Sequence, residues 1–233
     1  MADTARSGLG TSCRVLLDND KKIRTSSSGM KQFLVRHRSS LSKAAAVLAL
    51  ITGLGFLADA FWLYGKAQVG QMLLSRAWAK TLEDGEDHKP WPWADHWPVA
   101  RLISEEHNID QIVLAGDSGS VLAFAPGMNL QASKPGEAGA VIISGHRDTH
   151  FRFLQNLKPG AELTLETHDG KHQYRIEETR IVDSRTTRID PTLDNGQLVL
   201  ITCYPFETVD PGGPMRFVAL GRETETPNSN SYH

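Results

Sequence analysis

A cysteine, a histidine and an arginine each lie at or beside a strand-like segment of the sequence. Cys203 ends the apolar run Leu198–Cys203, just before a turn that contains Pro205. His146 follows a β-branched run, and Arg216 lies on the next strand-like run after Cys203. A cysteine nucleophile needs a neighbouring base or cation that favours the thiolate, which His146 could supply. Attack on a carbonyl creates an oxyanion, for which Arg216 offers several N–H donors.

Each of these residues also has an ordinary structural interpretation. An isolated cysteine on a strand is commonly a small residue of the hydrophobic core. His146 could be a hydrogen-bonded turn histidine, and Arg147, Arg216 and Arg222 could be solvated surface charges. The residue types alone therefore leave catalysis and packing as alternatives.

An apolar segment, residues 44 to 65, separates two polar parts of the chain, and its only charged residue is Asp59. As a helix it would reach about 33 Å, which is enough to cross a bilayer. Basic residues before it predict a cytoplasmic N-terminus and an extracytoplasmic remainder. A cleaved signal peptide is the alternative, because Ala58 and Ala60 resemble a cleavage site. The long polar leader favours a retained anchor. The basic residues are Arg36, Arg38 and Lys43.

The chain has two cysteines, and the predicted membrane separates them. Cys13 lies in the polar leader, so it cannot form a disulfide with Cys203 within one chain. An unpaired thiol in an exported domain is exposed to oxidising conditions. Cys203 therefore favours chemistry, with a buried inert cysteine as the alternative.

Length, charge and motifs limit the other classes of function. The chain has 233 residues, so the leader and the anchor leave one domain of ordinary size. A net charge of −2 gives no reason to expect a nucleic-acid partner. We expect Gly116, Gly119 and Gly127 to be scattered turn glycines. His146 and His150 have metalloprotease spacing, but Arg147 stands where that motif requires Glu, so we expect no zinc site.

Composition divides the chain into five segments. Residues 66–82 keep helical spacing, whereas the prolines between residues 89 and 98 exclude a helix there. The predicted segments are a disordered cytoplasmic leader (1–40), a transmembrane anchor (41–65), a helical extension with a Pro/Trp-rich linker (66–98), a β-rich catalytic domain (99–223) and a disordered tail (224–233).

From Val99 onward, β-branched and aromatic runs alternate with turn signals. Asp169 and Gly170 mark a hairpin turn, and residues 117–124 and 151–157 are predicted to form short helices. Seven short strands indicate an all-β barrel or sandwich. The predicted strands are Val99–Ile103, Ile109–Ala115, Ala140–Ser144, Glu162–Thr167, His172–Asp183, Gln197–Tyr204 and Met215–Arg222.

The order and spacing of the candidate residues resemble those of sortases, a family of membrane-anchored cysteine transpeptidases. Sortases end one strand with a Thr-Cys pair, as Thr202 and Cys203 do here, and they place the base in a Gly-His element like Gly145-His146. They carry an arginine on the following strand, as at Arg216. The resemblance spans residues 41 to 222 and is strongest to the sortase subgroup of Gram-negative proteobacteria.

The resemblance implies a closed β-barrel of seven to eight strands with short helices, preceded by a single transmembrane helix. It also implies an inner-membrane location, with a cytoplasmic N-terminus and a periplasmic catalytic domain. Cys203 would cleave the Thr-Gly bond of a Leu-Pro-x-Thr-Gly-like C-terminal sorting signal on a secreted protein and form a thioester. His146 would be the acid and base, and Arg216 would hold the substrate or the oxyanion. An amine acceptor would then release the product.

The residues around Cys203 are expected to bind the substrate. They are Thr202, Tyr204, Pro205 and Phe206. The last three stand where several sortase classes have Thr-Pro-Tyr, which leaves the recognition motif open. We expect no cofactor and no metal. The alternatives are a cysteine peptidase that hydrolyses its acyl-enzyme and a non-enzymatic anchored β-module with Cys203 in its core.

Overall fold

The computed structural model describes residues 11–190, 196–208 and 212–224, with side chains from residue 43 onward. The chain forms two compact units, Met1–Gly65 and Lys66–His233. The first element is helix α1, Thr11–Asp84. Residues 11–40, which we expected to be disordered, are helical because they contain no proline and several good helix formers. The first ten residues of the predicted leader, and all but the first residue of the predicted tail, lie outside the described residues.

Among the described residues, one helical segment, Lys43–Asp84, is long and apolar enough to cross a membrane by length and composition. The most apolar part of this segment is not buried by other parts of the protein. Phe56, Phe61 and Leu63, for example, are each more than two-thirds exposed. Side chains of this kind are stable when lipid covers them. The helix therefore has the properties required of the predicted anchor.

The last turns of α1 belong to the second unit and pack on it. Leu74 is fully buried in a small cluster with Leu114, Val121 and Ala125. The helix ends where Gly85, with φ of 75°, donates its N–H to the Thr81 carbonyl at 2.9 Å. A left-handed glycine at this position is a common helix stop.

Eight strands and two short helices follow. The strands are β1 (Pro98–Ser104), β2 (Ile109–Ala115), β3 (Gly127–Met128), β4 (Ala140–Ser144), β5 (Glu162–Thr167), β6 (Gly170–Asp183), β7 (Gln197–Cys203) and β8 (Met215–Thr224). The helices are α2 (Gly119–Leu122) and the 3₁₀ helix Arg152–Asn156. The strands form a closed barrel in the order β1-β2-β3-β4-β7-β8-β6-β5, which confirms the predicted fold class.

Strand β3 is the one described strand that the sequence did not predict. It has only two residues, and it joins β2 in parallel and β4 in antiparallel fashion. Our interpretation of Gly127 as a turn glycine was wrong, because this residue lies in β3 and a Cβ there would clash with the Gly116 carbonyl. The close approach of these two backbones requires glycine at residue 127.

Side chains of β7 alternate between the two faces of the barrel wall. Leu198 and Leu200 belong to the interior core, whereas Val199 and Ile201 belong to a second cluster on the outer face. The interior core also contains Phe151 and Tyr174, both almost completely buried. Because the side-chain period of a strand is two, this alternation fixes which face each later residue of β7 occupies.

Candidate active site

Strands β7 and β8 bring Cys203 and Arg216 together. The two residues are directly paired in the antiparallel ladder, at the end where β7 finishes and β8 begins. Directly opposite residues point to the same face, with Cβ atoms about 5 Å apart. The alternation along β7 puts Cys203 on the outer face, and the thiol is free and half-buried. A thiol and a guanidinium therefore share one outer edge of the barrel.

The loop after β4 carries His146 to the same edge. Strands β4 and β7 are parallel, with Ser144 paired to Ile201. Two hydrogen bonds continue this pairing, from the Gly145 N–H to the Ile201 carbonyl at 3.0 Å and from the Thr202 hydroxyl to the Gly145 carbonyl at 2.7 Å. His146 follows Gly145 directly, so this loop carries it to the end of β7 at which Cys203 lies, and its side chain is exposed.

The absence of a side chain at Gly145 leaves space for the ring of Phe151 beneath this loop. A Cβ at residue 145 would lie 2.6 Å from the ring of Phe151, which is completely buried. The Phe151 N–H also donates to the His146 carbonyl at 2.9 Å. The Gln111 side chain donates to the carbonyl of His150 at 2.9 Å. Core packing and a neighbouring strand therefore hold the loop that presents His146.

The outer face that leads to Cys203 is apolar. Its buried members lie on the three adjacent strands β4, β7 and β8, and partly buried side chains from flanking segments pack against them. The buried members are at most 8% exposed, so the partly buried side chains that cover them form the apolar surface on this side of the barrel. The residues of this outer-face cluster are Ala140, Ile142, Val199, Val218 and Leu220, with Ala132, Val182, Ile189 and Ile201 packed against them.

The four residues predicted to bind substrate have different environments. Thr202 points inward and is only 2% exposed, so its described contact is the bond to Gly145. Tyr204 and Phe206 are half-buried, with ring centroids 6.1 Å apart, and Phe206 also packs on Phe217. Pro205 is exposed and follows a cis peptide bond. Three of the four thus lie at the surface beside Cys203.

Arg216 makes two hydrogen bonds to its own loop. Its Nη1 atom donates to the Gly213 carbonyl at 2.7 Å and to the Met215 carbonyl at 2.9 Å. These bonds use the two N–H groups of Nη1, and a guanidinium has three more. The backbone contacts therefore orient the side chain without using all its donors.

Arg147, which we considered as a solvated surface charge, is buried and only 6% exposed. Its Nε and Nη2 atoms donate to the Asp148 carboxylate at 2.6 and 2.9 Å. Its Nη1 and Nη2 atoms also donate to the Pro205 and Thr208 carbonyls, at 2.7 and 2.9 Å. No local sequence signal distinguishes this arginine from a surface one, because its two carbonyl partners lie about 60 residues along the chain.

The charged residues of the loop after β4 shift one another's pKa values. The hydrogen bonds from Arg147 hold the pKa of Asp148 below its usual value, and the charges of Arg147 and His146 act in the same direction. Burial lowers the pKa of His150, and the charge of His146 lowers it further.

Among the described residues, no group of three or more His, Cys, Asp or Glu could hold a metal ion.

A model of the sortase domain matches residues 104–224, just over half of the chain. The chain belongs to the sortase family. Sortase D of Bacillus subtilis (strain 168) is 34% identical to it over 116 residues, which cover 49% of this chain and 58% of that protein. The chain thus spans less than two-thirds of the length of this curated relative. The resemblance to sortases is confirmed at the level of the family.

A solved sortase structure shares the fold. A Clostridium perfringens Sortase D5 transpeptidase is similar with a TM-score of 0.53 and 19% identity, over 68% of this chain and 99% of that one. Sortase A from Corynebacterium diphtheriae has a TM-score of 0.49 and 19% identity, over 59% of this chain and 66% of that one. Sortases, as a family, are cysteine transpeptidases. The proteobacterial subgroup and the role of each site residue stay predictions.

Proposed function

We propose that this sortase cleaves a C-terminal sorting signal through a thioester on Cys203 and transfers the cleaved protein to an amine. The reaction class is supported by membership of the family. The observation that carries the assignment of residues is the strand register. It pairs Cys203 with Arg216, and it brings the Gly145-His146 loop alongside the same strand.

The proposed reaction has two acyl transfers. His146 takes the thiol proton of Cys203, the sulfur attacks the carbonyl of the scissile peptide bond, and the guanidinium of Arg216 stabilises the oxyanion that forms. When the C–N bond breaks, His146 gives its proton to the leaving amine. His146 then takes a proton from the incoming amine, whose nitrogen displaces the thiolate and completes the new amide.

The substrate that we propose is a Leu-Pro-x-Thr-Gly-like signal on a secreted protein. The partly buried apolar side chains that cover the outer-face cluster support an extended peptide with apolar side chains, because one of them, Ile201, lies two residues before Cys203 on β7. Tyr204, Pro205 and Phe206 would contact the residues around the scissile bond. Thr202 would act indirectly, by fixing the Gly145 carbonyl and hence the loop of His146.

We also propose that the segment 41–65 anchors the enzyme in a single pass. The described helix has the length and exposure for this role. The basic residues before the segment support a cytoplasmic N-terminus, and a proteobacterial source would make the membrane the inner one. The catalytic domain would then comprise residues 99–223, connected to the anchor by residues 66–98, and would face secreted substrates.

Replacing the nucleophile tests this proposal with the largest expected effect. We expect Cys203→Ala to abolish the covalent adduct with sorting-signal peptides and to leave the barrel folded, because the change removes the only attacking sulfur of the site and little buried area. The measurement is intact-protein mass spectrometry of the detergent-solubilised full chain. Cys13→Ala is the matched control and should form the adduct normally. An adduct on Cys203→Ala would refute the assignment.

The same preparation distinguishes transfer from hydrolysis. With a glycine peptide added, we expect an amide-linked product whose rate of formation increases with amine concentration, since His146 is positioned to deprotonate a bound nucleophile. If every amine leaves only the free acid, the enzyme is a cysteine peptidase. If several sorting-signal variants give no adduct and iodoacetamide does not label Cys203, a non-enzymatic module is the correct interpretation.

A further inference from the structure

Arg147 joins the two loops that present the candidate nucleophile and the candidate base. It follows His146 directly in the chain, and its guanidinium reaches the segment just after Cys203. There it donates to the Pro205 carbonyl at 2.7 Å and to the Thr208 carbonyl at 2.9 Å. The Arg147 side chain therefore connects the loop that carries His146 to the segment that follows Cys203.

These bonds are difficult to replace. An arginine that is only 6% exposed cannot exchange its partners for water without opening the surrounding structure. The guanidinium is a planar fork, and here it serves a carboxylate and two carbonyls at once. Lysine has a compact ammonium that cannot reproduce this arrangement.

We propose that Arg147 is a positioning residue of this enzyme, which fixes the segment Tyr204–Thr208, and through it Cys203, relative to His146. Asp148 orients the guanidinium by accepting two of its hydrogen bonds. The inference depends on the proposed roles of Cys203 and His146, because it concerns their mutual geometry. Displacement of reacting groups by about 1 Å can lower a rate 100-fold, so such a connection has kinetic consequences.

The electrostatics of the site agree with this arrangement. The hydrogen bonds that Arg147 donates to Asp148 raise the pKa of Arg147, and the charge of Asp148 adds to this effect. Arg147 therefore keeps its charge, while its donors are directed at the Asp148 carboxylate and at two backbone carbonyls.

The first experiment compares Arg147→Lys with Arg152→Lys in the full chain. Arg152 is an exposed arginine on the 3₁₀ helix of the same region. We expect Arg147→Lys to lower the single-turnover acylation rate on the order of tenfold or more with KM within about twofold, because the reacting groups shift while the peptide surface is kept. Arg152→Lys should match wild type in both quantities.

Hydrogen exchange gives a second readout, independent of activity. In the structure, the Tyr204 N–H donates to the Met215 carbonyl at 3.0 Å. In Arg147→Lys, we expect amides of residues 204–208 to exchange roughly tenfold faster while the amides of β6 stay unchanged, since opening is local. A general loss of stability would instead accelerate exchange throughout the barrel. Wild-type acylation or wild-type exchange in Arg147→Lys would overturn the inference.

If Arg147→Lys does not fold, Asp148→Asn tests the positioning role of Arg147 instead. Asp148 is 68% exposed, so this change preserves the packing. We expect a smaller loss, about threefold in acylation, with faster exchange confined to residues 204–208. Unchanged exchange would overturn the inference while leaving the proposed function intact. If the wild-type enzyme forms no adduct, that result contradicts the proposed function itself.

Discussion

The two ends of strands β7 and β8 differ in the partners of their ionisable groups. At the end with Cys203 and Arg216, both side chains are half-buried on the outer face, and His146 beside them is exposed. At the other end, His172 and Glu223 form a pair with 2.7 Å between Nδ1 and Oε1. Tyr174, which is paired to Glu223 across β6 and β8, is only 1% exposed.

This difference separates reactivity from stability. A group that reacts with a substrate must be accessible and must keep some donors or acceptors available. The Cys203 end meets these conditions. At the opposite end, burial raises the pKa of Tyr174 and the charge of Glu223 raises it further, so the phenol stays neutral. We therefore expect substitutions at the first end to change rates and those at the second end to change mainly stability.

Two arginines on the same strand test this separation most strongly. We expect Arg216→Lys to lower kcat/KM roughly 100-fold, because it keeps the charge but loses the planar donor geometry needed by the oxyanion. Arg222→Lys is the matched control at the other end, where Arg222 is exposed and lies 3.2 Å from Glu177. It should retain wild-type kinetics. Equal losses in both variants would show that the two ends are not functionally distinct.

Gly145 tests how tightly the core holds the loop of His146. We expect Gly145→Ala to cost about 1–3 kcal/mol of unfolding free energy, because its Cβ would overlap the buried Phe151 ring. We also expect kcat/KM to fall roughly tenfold, since the loop that carries His146 must shift. Gly119→Ala is the control, because a Cβ there meets nothing within 4 Å. Chemical denaturation and peptide cleavage measure the two effects. Full activity in a destabilised Gly145→Ala would show that the loop tolerates displacement.

The sequence predicted the regular parts of the fold well because strands have a simple period. The bounds of β2, β4 and β5 were predicted to the residue, as alternating or β-branched runs of five to seven residues between turn signals. Strand β3 was not predicted, because two residues carry no period. Gly127 is required because the backbone of Gly116 lies against it in the fold, and the sequence around Gly127 does not indicate this contact.

The candidate site was predicted from residue types together with their order and spacing along the chain. The structure pairs Cys203 with Arg216, and the roles of these residues and of His146 stay predictions. The interpretation of Arg147 as a solvated surface charge was wrong, because only folding buries this side chain and brings its carbonyl partners near. Thr202 was predicted to touch substrate, yet strand alternation turns it inward toward Gly145. The sequence therefore could not predict contacts between segments that are far apart along the chain.

Tyr174 provides the test with the smallest expected effect. Its hydroxyl is buried and has no hydrogen-bond partner among the residues that the structure describes. Removing an unsatisfied buried polar group while keeping the ring should be neutral or stabilising, so we expect Tyr174→Phe to change the unfolding free energy by less than about 1 kcal/mol. Because the ring still fills the core, kcat/KM should equal that of wild type. Denaturant titration and peptide cleavage check these values. A several-fold loss of kcat/KM at unchanged stability would mean that the interior of the far end communicates with Cys203, and the separation between the two ends would not hold.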